Sequence, residues 1–425
     1  MNTLIKQGHV IDPANGRDGI FDILIEGDKI SNVAENINKK TEKVLNAENK
    51  IVAPGLIDMH VHLREPGRED IETVASGTRA ALSGGITSLA CMPNTYPAID
   101  SAREIERLKA IIEKDAAARV FITAAITKGR AGKEITDIKA LKKEGAVAVS
   151  DDGEETQDAS IMLEALKKAK ENDILLISHC ENKKVSKDGV MNEGVIATIL
   201  GLRGIPKKAE YEFVERDIKL AGKAKAKIHI AHVSAKKSVE IIRKAKKEGI
   251  SVTAEATPHH FSLEENACRT YDTRAKINPP LRSSDDIDAV KEGLKDGTID
   301  VIASDHAPHG KHEKEIEFDM AAFGIIGLET SLALAIANLI DKKIISWKKL
   351  IELMSVNPAG ILGLKNKGRF SAGADADITI IDPEKEWVYA KDSIRSKSKN
   401  SPFINRRFKG KAISVIVGGK VFEGL

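Results

Sequence analysis

The 425-residue sequence has few aromatic side chains and no excess of charge of either sign. Phe, Trp and Tyr make up 4% of the chain, and 66 basic residues nearly balance 63 acidic ones, which leaves a formal net charge of +3. Nucleic-acid binding usually requires a concentrated positive field and aromatic rings that stack on bases. The composition therefore argues against a nucleic-acid partner.

Long apolar runs and paired cysteines are also missing. No stretch approaches the ~20 apolar residues that a membrane-spanning helix needs, and the N-terminal MNTLIKQGHVIDP has no signal-peptide core. Cys91, Cys180 and Cys268 are far apart and form no CxxC pair. We therefore expect a cytoplasmic protein with no membrane association and no thiolate metal site.

Three common catalytic or nucleotide-binding motifs are absent as well: the GxSxG elbow, the Walker A loop and the GxGxxG fingerprint. What the sequence does contain is a regular alternation of short β-branched runs with longer amphipathic stretches, which predicts repeated βα units around a parallel sheet. The candidate strands are 52–60, 86–92, 120–126, 146–150, 174–179, 228–233, 250–256 and 299–304. The candidate helices between them include 101–114, which begins at the possible N-cap Ser101, and 158–171, 208–224 and 236–248.

This pattern spans about 250 residues, which suits a closed (β/α)₈ TIM barrel better than an open sheet. The two chain ends differ, because each contains short strand-like pieces separated by turns and neither is long enough to bury its own core. We expect both ends to combine into a small β-sandwich domain. The predicted division is 1–50 plus 366–425 for that domain and 51–365 for the barrel.

Histidine and aspartate residues follow several of the predicted strands, where barrel enzymes carry their active sites. In Asp58-Met59-His60-Val61-His62 the period-two geometry of a strand directs both imidazoles to one side, so one metal ion can bind both. His179, His232 and Asp305 each end a later strand. Taken singly each is more often structural, as is His229, but together they predict a metal site at the barrel mouth.

Eight motifs in order resemble the amidohydrolase superfamily and, within it, the bacterial and archaeal type I dihydroorotases. They are HVHLREPG, CMPNT, SDDG, SHCEN, AHVSA, NPPLR, SDHAPH and FGIIGLET. The terminal segments, including FSAGADADITIID, resemble the composite β domain of the same family. The resemblance thus covers nearly the whole chain.

The resemblance implies one or two Zn²⁺ ions per subunit. His60 and His62 would bind the first ion, His179 and His232 the second, and Asp305 would bind the first and act as catalytic acid and base. Many relatives bridge the ions with a carboxylated lysine, but this sequence has Ser150-Asp151-Asp152-Gly153 there. The expected bridge is Asp152, with Asp151 as the alternative.

The resemblance also implies a substrate-binding set. Arg64 and Asn94, with His309, would hold a substrate carboxylate, because a guanidinium grips a carboxylate in a two-pronged geometry. The rest of the set is His62, Leu63, Asn278, Phe323 and Gly324. Residues 309–320 are polar and long enough to form a mobile lid.

The implied activity is that of a hydrolase acting on cyclic amide C–N bonds, specifically the reversible cyclisation of N-carbamoyl-L-aspartate to L-dihydroorotate in pyrimidine biosynthesis. Alternatives are allantoinase, hydantoinase or dihydropyrimidinase, which share the metal histidines, and a non-catalytic scaffold. The implied partners are a second subunit in a homodimer and aspartate transcarbamoylase.

Overall fold

Eight parallel strands form a barrel in the computed structural model, which describes residues 2–424. In chain order, and pairing in that order, they are Leu56–Val61, Ile86–Cys91, Arg119–Ala124, Ala146–Val149, Leu175–Ser178, Ile228–Ile230, Val252–Ala256 and Val301–Ile302. A parallel bridge between Val61 and His306 joins the last strand's end to the first. The Asp58 carboxylate strengthens this closure by accepting the backbone N–H of Ser304 at 3.1 Å.

Helices surround the barrel, and the longer ones bury one face each. The helices of ten residues or more are Val74–Ser83, Ala102–Asp115, Ala159–Glu171, Lys208–Ala224, Lys236–Lys247 and Ser284–Asp296. Shorter helices are Ile138–Lys143, Lys183–Ser186, Val195–Leu200, Lys311–Lys314, Ser331–Ala335, Trp347–Ile351 and Asn357–Ile361. The predicted helices are confirmed in position. Ser101 occupies the N-cap position of its helix, as predicted, but its side chain makes no capping hydrogen bond.

The predicted first strand, 52–60, is two strands that belong to different sheets. Ile51–Pro54 lies in the sheet of the chain ends, and Leu56–Val61 begins the barrel. The break falls at Gly55, whose backbone N–H donates to the carbonyl of Asp377 at 2.9 Å. Both halves are fully buried, and the residues next to Gly55 on either side are apolar, so no change of hydrophobic pattern marks the break.

The two chain ends together form the small β domain, as predicted. Its strands are Asn2–Asp12, Arg17–Glu26, Lys29–Ala34, Lys43–Asn46, Ile51–Pro54, Ile378–Val388, Arg407–Val417 and Lys420–Glu423. Ile51–Pro54 joins the ends, because it pairs in parallel with Asn2–Asp12 and antiparallel with Ile378–Val388. The division into 1–50 plus 366–425 and 51–365 stays a prediction, and this pairing favours moving its first boundary to Gly55.

Between Ile378–Val388 and Arg407–Val417 the chain leaves the β domain and lies against the barrel. Tyr389, Ile394 and Phe403 pack there in one apolar cluster with Ile326 and Leu334. We call residues 394–401 the strap. Within the described residues, none of the helices has the length and apolar character needed to cross a bilayer.

Replacing Gly55 with alanine tests the tight junction between the two sheets. An added Cβ would lie 2.2 Å from the Thr87 hydroxyl oxygen. We expect Gly55→Ala to lower the free energy of unfolding by about 1–3 kcal/mol through overpacking, measured as a lower melting temperature. Gly360→Ala is the control, since an added Cβ there meets nothing within 4 Å. Equal melting temperatures for the two variants would contradict this description of the junction.

Candidate active site

The carboxylate of Asp152 lies at the centre of four buried imidazoles at the barrel mouth. Its Oδ1 is 3.3 Å from His60 Nε2, 3.5 Å from His179 Nδ1 and 3.8 Å from His232 Nε2. Its Oδ2 is 3.5 Å from His62 Nε2. A single carboxylate therefore contacts every histidine that the sequence placed in the metal site.

Asp305 approaches the same cluster from the end of the eighth strand. Its Oδ1 is 3.1 Å from His62 Nε2 and 3.6 Å from His60 Nε2. His60, His62 and Asp305 form one group of potential ligands whose donor atoms lie within 4.8 Å of one another. This is the set expected for the first metal ion.

A second group with the same spacing consists of His60, Asp152 and His232. His179, the other residue expected there, lies directly beside it, with its Nδ1 2.7 Å from His232 Nε2. The two groups share His60, and Asp152 of the second group also contacts His62 of the first. The arrangement has the form of two adjacent sites with a carboxylate between them.

The donor atoms of this cluster fit a divalent metal ion. His60 Nε2 and Asp152 Oδ1 are buried and have no hydrogen-bond partner among the described residues. Leaving a buried polar atom unsatisfied costs about 1–3 kcal/mol, so such atoms usually have a partner. Imidazole nitrogen and carboxylate oxygen are ligands that zinc and similar ions take in proteins.

Hydrogen bonds on the outer side of the rings fix which nitrogen faces inward. His60 Nδ1 is 2.5 Å from Glu255 Oε1, and His62 Nδ1 is 2.8 Å from Asn94 Oδ1. With those nitrogens donating, each Nε2 is left as a lone-pair donor toward the cluster. His179 is reversed, because its Nε2 faces Glu181 Oε2 at 3.5 Å.

Sequence reasoning missed Glu255 and Glu181. Glu255 is fully buried at the end of the seventh strand, where its second carboxylate oxygen lies 3.2 Å from His229 Nε2. His229 is therefore structural, as predicted, and acts on the cluster through Glu255. A buried glutamate at a strand end was the available signal for Glu255, and the SHCEN motif contains Glu181.

Asp151, the alternative bridge, points away from the cluster. Its Oδ1 accepts the backbone N–H groups of Ile126 and Thr127 at 2.9 and 3.0 Å, and its Oδ2 accepts the Thr127 hydroxyl at 2.5 Å. It thus fixes the loop after the third strand. This geometry favours Asp152 as the bridging residue.

The electrostatics of the cluster favour ionised carboxylates. Burial by itself would raise the pKa of Asp152, but the charge of His60 and the contacts with His179 and His232 hold this pKa well below its usual range. The pKa of Asp305 is also lowered, because the hydrogen bond to His62 and the charge of His60 outweigh burial. Both carboxyl groups are therefore negatively charged at neutral pH.

The backbone at this site is held in an uncommon conformation. Arg64, His232 and Asp305 have φ angles of 61°, 32° and 45°, in the left-handed region that non-glycine residues seldom adopt. Such conformations persist where the surrounding structure imposes them, and they concentrate at functional sites.

A cavity of about 290 Å³ opens beside the cluster. Its wall includes the cluster residues His62, Asp152, His179, His232 and Asp305, and the predicted substrate-binding residues Arg64, Asn94, Asn278, Phe323 and Gly324. It also includes Glu181, Lys183 and Ile277, which were not predicted. A cavity of this size suits a single small ring compound.

Two of the predicted substrate-binding residues do not line the cavity. Leu63 is 2% exposed and its side chain packs in the barrel core, so a binding role for that side chain is not supported. His309 lies behind Arg64, with its Nε2 3.4 Å from Arg64 Nη2.

Burial lowers the pKa of Arg64 to about 10, so the guanidinium remains charged at neutral pH.

The predicted lid, residues 309–320, contains the short helix Lys311–Lys314. Lys314 is buried, and its Nζ donates to the carbonyls of Ala322 at 2.7 Å and Gly324 at 3.2 Å. These bonds fasten the segment to the cavity wall. Its mobility stays a prediction.

Comparison with known proteins identifies the family. The chain is 54% identical to the dihydroorotase of Elusimicrobium minutum over 421 residues, 99% of this chain and 97% of that one. It is 47% identical to the dihydroorotase of Acetivibrio thermocellus over 418 residues, 98% of each chain. The chain belongs to the dihydroorotase family. The family profile described as "Dihydro-orotase-like" matches residues 49–238, which contain every predicted metal ligand except Asp305.

Solved structures confirm the fold of this dihydroorotase-family chain. The L-hydantoinase (dihydropyrimidinase) of Arthrobacter aurescens matches with a TM-score of 0.90 at 24% identity, over 99% of this chain and 95% of that one. The dihydropyrimidinase of Brevibacillus agri matches with a TM-score of 0.86 at 23% identity and the same coverage. At this identity the likeness shows the shared architecture.

Glu255→Gln tests the orientation of His60. Glutamine keeps an acceptor for His60 Nδ1 but removes the negative charge, so we expect the affinity for a divalent metal to fall roughly 10- to 100-fold. The measurement is a competition titration against a chelator. Glu264→Gln is the matched control, because Glu264 is exposed and nine residues further along the chain. Wild-type metal affinity in Glu255→Gln would show that Glu255 does not tune the cluster.

Proposed function

We propose that the protein is a zinc-dependent dihydroorotase that interconverts L-dihydroorotate and N-carbamoyl-L-aspartate in pyrimidine biosynthesis. The observation that supports this most strongly is the cavity itself, which is lined both by the histidine–aspartate cluster and by the charged Arg64. A small ring that carries both a cyclic amide and a carboxylate has the chemistry to fit between them. The full-length similarity to dihydroorotases supports the same substrate.

The metal ligands follow from the two groups of donors. His60, His62 and Asp305 would hold one ion, His179 and His232 a second, and Asp152 would bridge them, giving one or two ions per subunit. Zinc held there would lower the pKa of a bound water and polarise the scissile carbonyl. We propose zinc because nitrogen and oxygen ligands in close, buried geometry suit it.

Asp305 is the proposed acid and base. Its Oδ1 faces His60 and His62, which leaves the second carboxylate oxygen to accept the proton of the attacking water. As the ring C–N bond breaks, the same carboxyl group returns that proton to the departing nitrogen. L-Dihydroorotate and water thereby become N-carbamoyl-L-aspartate, and the reverse sequence closes the ring.

Arg64 and Asn94 are proposed to hold the substrate carboxylate, with His309 assisting. Burial and the neighbouring Arg64 charge lower the pKa of His309 to about 3, so this imidazole is neutral and adds no second cation. Asn278 and the backbone of Phe323 and Gly324 would contact the ring edge. Asn278 is held in place, since its Nδ2 donates to Glu181 Oε2 at 3.0 Å.

Three further proposals concern the protein's location and partners. The three cysteines are buried free thiols, which supports a reducing, cytoplasmic location. A homodimer and an association with aspartate transcarbamoylase are proposed from the family resemblance.

Asp305→Asn tests the acid–base assignment. The amide nearly preserves the shape but cannot accept the proton, so we expect turnover to fall by roughly 10²- to 10⁴-fold while the fold is kept. Steady-state kinetics, melting temperature and bound metal are measured on the same sample. Asp288→Asn, an exposed aspartate, is the control. Near-normal turnover in Asp305→Asn would contradict the assignment of Asp305 as the acid and base.

Arg64→Ala tests the substrate carboxylate. A charge-assisted hydrogen bond contributes about 1.5–3 kcal/mol, so we expect KM for L-dihydroorotate to rise roughly 10- to 100-fold, with a smaller change in kcat. The exposed Arg103→Ala serves as control. An unchanged KM would indicate a substrate that lacks this carboxylate.

The substrate itself is tested by comparing hydrolysis of L-dihydroorotate, allantoin, hydantoin and dihydrouracil, with bound metal counted. A clear preference for L-dihydroorotate is the expected result. Activity on another ring alone would keep the fold and replace the substrate with that of an allantoinase, hydantoinase or dihydropyrimidinase. Metal-loaded protein that is inactive on all four would favour a scaffold or a missing partner.

A further inference from the structure

The strap, residues 394–401, alternates in burial without being part of a sheet. Ile394, Ser396, Ser398 and Asn400 are buried, while Arg395 and Lys397 between them are exposed. In extended backbone, successive side chains point to opposite sides. One side of the strap therefore faces the barrel, and that side is mostly polar.

Two buried carboxylates of the barrel hold the strap. Glu329 accepts the backbone N–H groups of Arg395 and Ser396 at 3.0 and 3.1 Å. Glu72 accepts the backbone N–H of Lys397 at 3.2 Å and the hydroxyl of Ser396 at 2.5 Å. These bonds give the backbone N–H groups of the strap the acceptors that a neighbouring strand would otherwise provide. The strap therefore has a defined position on the barrel.

Asn400 uses its whole amide group on loops that follow the eighth barrel strand. Its Nδ2 donates to the carbonyls of Ala307 at 2.9 Å and Gly324 at 3.0 Å, and its Oδ1 accepts the backbone N–H of His309 at 3.1 Å. The side chain is 4% exposed. Two donors and an acceptor on one short, planar group are a combination that asparagine supplies and aspartate does not.

The segments joined by Asn400 meet at close range. Gly324 has a φ of 152°, and a Cβ added there would lie 2.7 Å from the carbonyl oxygen of Ala307 and 2.7 Å from His309 Cδ2. Gly324 therefore lies directly against the residues that flank the proposed carboxylate site. The spacing between His309 and Gly324 depends on what holds these backbones together.

We infer that Asn400 is a positioning residue for substrate binding: it fixes His309 and the Phe323–Gly324 backbone in the arrangement that receives the carboxylate and the ring edge. This inference rests on the proposed function and extends it, because it makes the C-terminal strap part of the active site. The metal ligands are held by other contacts, so the effect falls on substrate binding.

The test compares Asn400→Asp and Asn400→Ala with the wild type and with Asn405→Asp. Aspartate keeps the shape of residue 400 but replaces the amide donor with an oxygen that repels two carbonyls. Alanine removes the amide group altogether, and Asn400→Ala provides the test if Asn400→Asp fails to fold. Asn405 is exposed, and its φ of 67° is one that both asparagine and aspartate tolerate. The control therefore makes the same asparagine-to-aspartate substitution at a position where no loss of stability is expected.

We expect both Asn400 variants to raise KM for L-dihydroorotate by about tenfold or more, the equivalent of losing one or two buried hydrogen bonds. We expect kcat to change less than KM, and bound metal to equal that of the wild type and Asn405→Asp. A rise in KM without a matching fall in kcat distinguishes a positioning role of Asn400 from a general loss of structure.

Unchanged KM in both Asn400 variants overturns the inference. So does a loss of kcat in proportion to lost metal or lost folded protein, because that outcome indicates a merely structural role. Wild-type protein that is inactive on L-dihydroorotate overturns the proposed function, and this inference with it. Active wild-type protein with unaffected variants overturns the role of Asn400 alone.

Discussion

The burial of the Asp152 carboxylate among four imidazoles is the constraint on which the site depends. A buried carboxylate without a compensating positive charge is costly. A divalent cation satisfies the carboxylate and the inward-facing nitrogens together. Much of the surrounding structure keeps this arrangement in place. Glu255 and Asn94 orient His60 and His62, and Asp151 joins the loop that presents Asp152 to the loop after the third strand.

The barrel mouth is completed by chain segments distant in sequence. The Val61–His306 bridge and the Asp58–Ser304 bond close the barrel between its first and last strands, so His60, His62 and Asp305 come to one side. The strap then covers the loops after the eighth strand from outside. Glu72 links the two, because its carboxylate contacts both His306 and Ser396.

The sequence predicted those parts of the site whose geometry is local. The two-residue spacing of His60 and His62 determines that they share a side of a strand, and the strand ends bring His179, His232 and Asp305 to the same cluster. Glu255 was missed because its role depends on a contact across the barrel with His60, 195 residues away. The packing of Leu63 was not predicted either: His62 and Arg64 on either side of it line the cavity, while its own side chain packs in the core.

The strand break at Gly55 and the strap were missed for related reasons. The residues next to Gly55 are apolar on both sides, and only pairing partners distant in sequence show that the chain changes sheets there. In residues 394–400, IRSKSKN, every second residue belongs to the side that is buried. Because that side consists mainly of serine and asparagine, the sequence resembles an exposed loop. Their partners lie far away in the sequence: Glu72 binds Ser396, the carbonyl of Ile71 binds Ser398, and the loops after the eighth strand bind Asn400.

The most direct test of the central claim is a metal titration of catalysis. The protein is stripped with a chelator, its residual metal is counted, and L-dihydroorotate hydrolysis is followed as zinc is returned in measured equivalents. We predict that stripped protein is inactive and that turnover returns in step with bound zinc, reaching its maximum at one or two ions per chain. Full turnover by protein that holds no measurable metal would contradict the account.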